Sequence, residues 1–216
     1  MGHAIVIGAS GGIGAALADR LAQEHDVTRL SRSSDGLDVT DDASVAAALD
    51  GLARPVDVAF VATGILAPGG GAPEKSLAAI DAGAMARTFA VNAIGPALVL
   101  KHLAPRLREG ARVGVLTARV GSIGDNRAGG WHGYRASKAA ANMIVRGAAI
   151  EIGRRRRGAV VAALHPGTVE TAFTAGYKAS KVPPEEAAAN LVRVLMALGP
   201  EDSGGFFDYA GERIEW

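Results

Sequence analysis

The chain has 216 residues, enough for one domain that buries roughly 70% of its extended-chain surface. Its 23 basic and 22 acidic residues leave a formal net charge of +1, which argues against a nucleic-acid or membrane-surface role. Cysteine is absent, so disulfides, thiolate zinc sites and a thiol nucleophile are excluded, and a cytoplasmic location is expected. Every apolar run breaks before the roughly 18 residues that a membrane-spanning helix needs, so no membrane span is expected. No signal peptide, myristoylation signal, repeat or linker is recognisable, and residues 1–216 read as a single domain.

In chain order, Ala4-Ile5-Val6-Ile7 reads as a short buried strand and residues 13–23 as an amphipathic helix. The turn between them is Gly8-Ala9-Ser10-Gly11-Gly12-Ile13-Gly14. Glycines there let the backbone turn sharply and approach a pyrophosphate, while the helix start offers free N–H groups and a positive dipole end. In this position the turn predicts a bound dinucleotide. The next strand, 27–30, ends at Ser31-Arg32-Ser33-Ser34. A basic residue at this place suits a 2′-phosphate and an acidic one a ribose diol. Arg32 therefore favours NADP(H), with NAD(H) the alternative through Asp35, several residues into the loop.

Leu37-Asp38-Val39 reads as a very short third strand; Asp38 and Val39 either flank an adenine or serve a plain turn. A helix over about 43–52 and a strand at 56–61 follow. The strand ends in Ala62-Thr63-Gly64, where the glycine lets a ligand approach. Residues 67–74, with three glycines and two prolines, read as an irregular loop. A long helical pattern over 82–107 is interrupted at Gly95-Pro96. Proline has no N–H, so the carbonyl of Asn92, four residues back, loses its helical partner. An unpaired carbonyl and a side-chain amide in mid-helix suit a held water.

Residues 113–117 read as a strand and 118–133 as a polar, glycine-rich loop. The loop leads into Tyr134-Arg135-Ala136-Ser137-Lys138 and an alanine-rich helix. Four residues apart on one helix face, the Lys138 ammonium would favour the phenolate of Tyr134 and pull its pKa down from about 10, as acid–base chemistry on a carbonyl or alcohol requires. Arg154 to Arg157 read as a solvated helix end. A strand at 160–164 closes with His165-Pro166-Gly167-Thr168-Val169-Glu170-Thr171; a loop carrying Phe173 and Tyr177, a helix from Pro184 and a strand at 205–208 complete the chain. The five histidines are scattered without metal-ligand spacing, and no metal site is expected. Trp131 and His132 either line a substrate pocket or pack the loop on the helix. Alternating strands and helices predict an α/β fold, a parallel sheet covered on both faces.

The motif order resembles the short-chain dehydrogenase/reductase superfamily along essentially the whole chain, on GASGGIG, Asn92 with Pro96 behind it, YRASK and HPGTVET. Segments such as VNAIGPALVLKHLAP and DSGGFFDYAGE look similar to the C-factor-like and sniffer-like members. The resemblance implies a Rossmann-type three-layer sandwich of about seven parallel strands and NAD(P)-dependent carbonyl reduction or alcohol oxidation of a small molecule. By position, Tyr134 would be the acid–base residue, Lys138 would bind the nicotinamide ribose, and Asn92 would anchor the water of a proton relay. Gly8, Gly12 and Gly14 would wrap the pyrophosphate, with Ser10, Gly11, Ile13, Ala62, Thr63, Gly64, Pro166 and Gly167 along the cofactor. Val169 and Thr171 would hold the nicotinamide carboxamide.

Two departures stand out. The family's serine sits just past the fifth strand, where this chain has Ala118 after Thr117; counting twelve residues back from Tyr134 gives Ser122 instead. Ser122 is taken as the hydroxyl that polarises the carbonyl. Without any such donor the barrier rises by about 3 kcal/mol. The usual Asn-Asn-Ala-Gly is replaced by Val61-Ala62-Thr63-Gly64. The resemblance further implies a homodimer or homotetramer through helices 82–107 and 134–153. The alternative is a dinucleotide-binding signalling or regulatory protein with weak or no catalysis. A sugar-nucleotide epimerase is disfavoured, since 216 residues leave little room for a substrate domain.

Overall fold

Strands buried on both faces carry apolar side chains at successive positions. The run Ala4-Ile5-Val6-Ile7 lies within β1 (Gly2–Ile7) of a computed structural model that describes residues 1–216. Ile5 and Ile7 enter one apolar layer, Ala4 and Val6 the other. Around β1 stand β2 (His25–Leu30), β3 (Val56–Val61), β4 (Leu107–Leu116), β5 (Val160–His165) and β6 (Phe206–Asp208), all parallel. Their spatial order is β2-β1-β3-β4-β5-β6. Gly114 in β4 leaves room that its neighbours use: a Cβ there would lie 2.8 Å from Leu164 and 2.9 Å from the Phe60 ring.

The sheet has six strands rather than seven, because Leu37-Asp38-Val39 forms none. Leu37 N–H donates to Ser31, Asp38 N–H donates to the Ser44 hydroxyl, and the Asp38 carboxylate accepts from Thr40. Local turn bonds thus replace a ladder, Leu37 and Val39 join the core, and β2 remains the edge strand.

On one face lie α1 (Gly12–Leu21) and α7 (Pro184–Ala197). On the other lie α3 (Asp42–Asp50), α5 (Gly95–Leu103) and α6 (His132–Arg155). A one-turn helix, α2 (Arg32–Asp35), occupies the expected loop after β2. α4 (Ala82–Phe89) runs into α5 through a π-helical turn, Ala90–Ile94, where the proline predicts an interruption. Gly95 N–H reaches back five residues to Ala90, so the helix widens where Pro96 has no hydrogen to give. As one rod, Ala82–Arg106 is long and apolar enough to cross a membrane, contrary to the reading of the sequence. The rod's apolar residues Val99, Leu100 and Leu103 face the core. From β1 the chain steps outward to β2, then returns to β3 on the other side of β1. That reversal opens a crevice at the C-terminal ends of β1 and β3, where ligands of open α/β sheets bind.

Candidate active site

The glycine turn is built for close approach. Gly8 has φ +90°, and a Cβ on it would lie 2.9 Å from the Ala62 carbonyl group at the end of β3. A Cβ on Gly14 would stand 2.1 Å from the Gly8 oxygen, and one on Gly12 would stand 2.7 Å from Thr171 Cγ2. Gly11 caps α1 without a side chain, leaving the first N–H groups of the helix for an anion. This cradle suits a diphosphate through its free N–H groups, and it keeps its shape because glycine at position 14 lets the helix start sit against the Gly8 backbone.

The crevice continues into a cavity of about 610 Å³. Gly11, Gly12, Ile13, Gly14, Ala62, Thr63, Gly64, Tyr134, Lys138, Pro166, Gly167, Val169 and Thr171 all border it. Of the other expected site residues, Gly8 supports the turn from beneath, whereas Ser10, Arg32 and Asp38 are exposed and do not border the cavity. Val39 packs in the core, with its Cγ2 where a Cβ on Gly95 would fall. The Asp38 carboxyl is held below its ordinary range by hydrogen bonds from Thr40, the signature of a turn. Arg32 makes no ion pair, while its acidic rival Asp35 turns back to accept from Ser31 N–H at 2.9 Å.

Tyr134 and Lys138 sit side by side in the first turns of α6, both buried, with Lys138 Nζ 5.9 Å from the phenol ring centre. Nζ also donates to the Leu116 carbonyl at the end of β4 (3.1 Å). The expected depression of the phenol pKa is reversed. Burial pushes Tyr134 above its ordinary value, the Tyr177 phenol adds to the rise, and burial lowers Lys138 to about 8. Helical spacing brings the two groups together, but desolvation dominates both, raising the phenol and lowering the ammonium.

Asn92 is fully buried in the π turn. Its side-chain amide is not free for water, as the sequence suggested: Oδ1 accepts from Ile65 N–H, and Nδ2 donates to the Ile65 carbonyl and to Ser137 Oγ. Ser137 Oγ in turn donates to the Tyr134 carbonyl (2.8 Å). The missing hydrogen of Pro96 leaves the Asn92 main-chain carbonyl as the remaining candidate for that water. Gly64 makes the convergence possible, since a Cβ on it would crowd Lys138 Nζ at 3.2 Å and Asn92 Oδ1 at 3.4 Å.

Ser122 does not meet the cavity. Its buried hydroxyl accepts from Asp125 N–H (3.0 Å) and does not border the cavity. Thr117 and Ala118 do border it, and the buried Thr117 hydroxyl has no hydrogen-bond partner. Counting back from the tyrosine fails because the loop after β4 is long, whereas the end of the strand fixes position 117.

The surroundings of Tyr134 include residues that the sequence singled out, Trp131, Phe173 and Tyr177, and one that it did not, Glu74. Trp131 is the one residue besides glycine with positive φ (54°); it caps α6, and its ring centre lies 6.3 Å from that of Tyr134 and 5.7 Å from that of Tyr177. Phe173 lies 5.9 Å from Tyr134, so two aromatic rings flank the phenol, with Tyr177 packed on Trp131. Glu74 anchors the same corner: its carbonyl accepts from Trp131 N–H and its carboxylate from Gly133 N–H (2.9 Å). Burial lowers His165 to about 4, with Arg119 adding to the fall, so the imidazole is neutral at physiological pH.

A family model described as enoyl-(acyl carrier protein) reductase matches residues 11–197. The chain is 42% identical over 143 residues to C-signal of Myxococcus xanthus, covering 65% of this chain and 84% of that protein. It is 37% identical over 186 residues to 1-hydroxy-2-glutathionyl-2-methyl-3-butene dehydrogenase of Rhodococcus sp. (strain AD45), covering 84% and 79%. Carbonyl reductase Sniffer of D. melanogaster has the same fold (TM-score 0.82, 20% identity, 100% of both chains). So does the NADPH-bound carbonyl reductase from chicken fatty liver (TM-score 0.80, 22% identity, 99% of this chain and 94% of that one).

Proposed function

The chain belongs to the short-chain dehydrogenase/reductase superfamily, and on that premise we propose an NADP(H)-dependent oxidoreductase acting on a carbonyl or alcohol through Tyr134. One observation carries the reading: the glycine cradle, Tyr134 and Lys138 open into one cavity. A bound nicotinamide would supply or accept the hydride at the carbonyl carbon. Tyr134 keeps its proton at neutral pH and gives it to the carbonyl oxygen in reduction. Lys138, charged below about pH 8, binds the ribose and stabilises the phenolate left behind. The main-chain carbonyl of Asn92 holds the water that returns a proton. Thr117 takes the place of the absent serine hydroxyl. Purified protein with NADPH and a panel of aldehydes, ketones and quinones tests this; binding without turnover of any of them would overturn it.

For the hydroxyl, Thr117→Val should lower kcat about 10²-fold, the usual effect of losing one oxyanion donor. Ser122→Ala should cost stability through the lost turn bond and leave kcat the less affected of the two. The reverse ranking would return the role to Ser122.

Preference for NADP(H) rests on the free Arg32, the self-engaged Asp35 and the NADPH held by the chicken neighbour. Charge-assisted bonds to a 2′-phosphate contribute about 1.5–3 kcal/mol, so Arg32→Gln should cut the ratio of kcat/KM for NADPH over NADH roughly 10–100-fold. An unchanged ratio would remove Arg32 from the cofactor site. Ile94, Met143 and Ile150 stay exposed on the π turn and α6, and we assign that face to a second copy of the chain. Similarity to C-signal, together with alanine at position 118, favours a regulatory protein as the second reading.

A further inference from the structure

The half of the cavity away from the glycine cradle is basic, and the proposed chemistry makes no use of that charge. Between the end of β4 and the first turn of α6, Arg119, Arg127 and Arg135 border the cavity, with Asp125 their only acidic neighbour in that stretch of the lining. Arg119 is already paired, 3.0 Å from Asp208 and 3.5 Å from Asp125. Arg127 is exposed and has no ion pair or side-chain hydrogen bond. Arg135 reaches the Val120 carbonyl at 3.4 Å with one nitrogen, and its buried Nε has no partner. Two guanidinium groups therefore border the cavity without a carboxylate, beside the aromatic wall of Trp131, Tyr177 and Phe173.

Dinucleotide phosphates do not account for them. The glycine cradle and Arg32 follow β1 and β2, which stand two and three strands from β4, roughly 10–14 Å at the ordinary strand spacing. A guanidinium matches a carboxylate with two parallel hydrogen bonds, and flat apolar rings match an aromatic body. We infer that the site selects a carbonyl or alcohol substrate with a flat apolar body and a carboxylate, the carboxylate held by Arg127 and Arg135. This deepens the oxidoreductase reading and rests on it, so its test needs an arm that does not depend on turnover.

In the first arm, 4-carboxybenzaldehyde and its methyl ester are compared as substrates with NADPH. The acid should have the higher kcat/KM by about tenfold or more, and rising ionic strength should erode the advantage. Arg127→Gln, on an exposed loop, should bring the ratio to within about threefold. In the second arm, benzoate and benzamide are titrated calorimetrically into NADP⁺-loaded protein. Benzoate should bind about tenfold tighter or more, and Arg127→Gln should remove the difference. Tight benzoate binding without aldehyde reduction would leave the anion site standing and overturn only the oxidoreductase reading. Equal binding of the two, a preference insensitive to salt, or one that survives Arg127→Gln would overturn the anion site itself.

Discussion

Tyr134→Phe should lower kcat/KM for carbonyl reduction by about 10²–10⁴-fold, the range of a lost general acid, while NADPH binds with nearly unchanged affinity. The phenol is buried among Trp131, Phe173 and Lys138, so phenylalanine fills the same space and only the proton donor disappears. Stopped-flow hydride transfer and fluorescence titration of NADPH separate the two effects. Loss of both would mean that the residue binds rather than reacts; loss of neither would favour a regulatory role. The same site sets a pH dependence. Burial lowers Lys138 to about 8, so the cation is present below that pH and lost above it. Affinity for NADPH, and kcat/KM for NADPH measured on the free enzyme, should therefore fall as pH rises through about 8. Tyr134 contributes no limb in that range, because burial holds its titration above the ordinary phenol value.

Gly14→Ala should be the most damaging single methyl group in the molecule. Its carbon would need to occupy space 2.1 Å from the Gly8 oxygen, and both partners are backbone. Either α1 moves off the turn or the turn opens, and in both cases the row of N–H groups no longer lines up on a diphosphate. NADPH affinity should fall by about 10²-fold or more, with roughly 1–3 kcal/mol of stability lost, which is about 2–12 °C in Tm for a chain of this size. Gly11→Ala is the contrast, since its Cβ would meet the Gly8 oxygen at an ordinary 3.5 Å. Thermal denaturation of the two variants checks the ranking. Equal losses would mean that Gly14 is not a close-contact position.

Features governed by a few neighbouring residues were legible in the sequence. The glycine turn, the four-residue spacing of Tyr134 and Lys138 and the missing hydrogen of Pro96 each follow from local chemistry, and each appears where expected. Features that depend on distant partners were not. Leu37 and Val39 alternate like a strand, but the Asp38 N–H donating to Ser44 and the Thr40 N–H donating to the Asp38 carboxylate settle that segment as a turn. The acidity of Tyr134 could not be read from Lys138 alone, because the rings packed on it come from residues 131 and 173 and a second phenol, Tyr177, adds to the rise. Ser122 fits by counting and fails in space, since the length of the loop after β4 is independent of the strand that fixes Thr117. The partnership of Arg119 with Asp208, 89 positions apart, left no trace in either segment.

The bonds that run from Ile65 through Asn92 and Ser137 to the carbonyl of Tyr134 tie three separate stretches of chain into one chassis beneath the proposed proton donor. Of the side chains that would meet a substrate, Arg127, Trp131, Phe173 and Tyr177 lie outside that chassis on other segments, and Arg135 alone stands on it. Apart from Arg135, selectivity and reactivity would thus be mounted on different parts. Redesign for new substrates has its freedom in residues 119–131 and 172–177, whereas altering Asn92 or Ser137 would throw the donor out of alignment whatever the substrate.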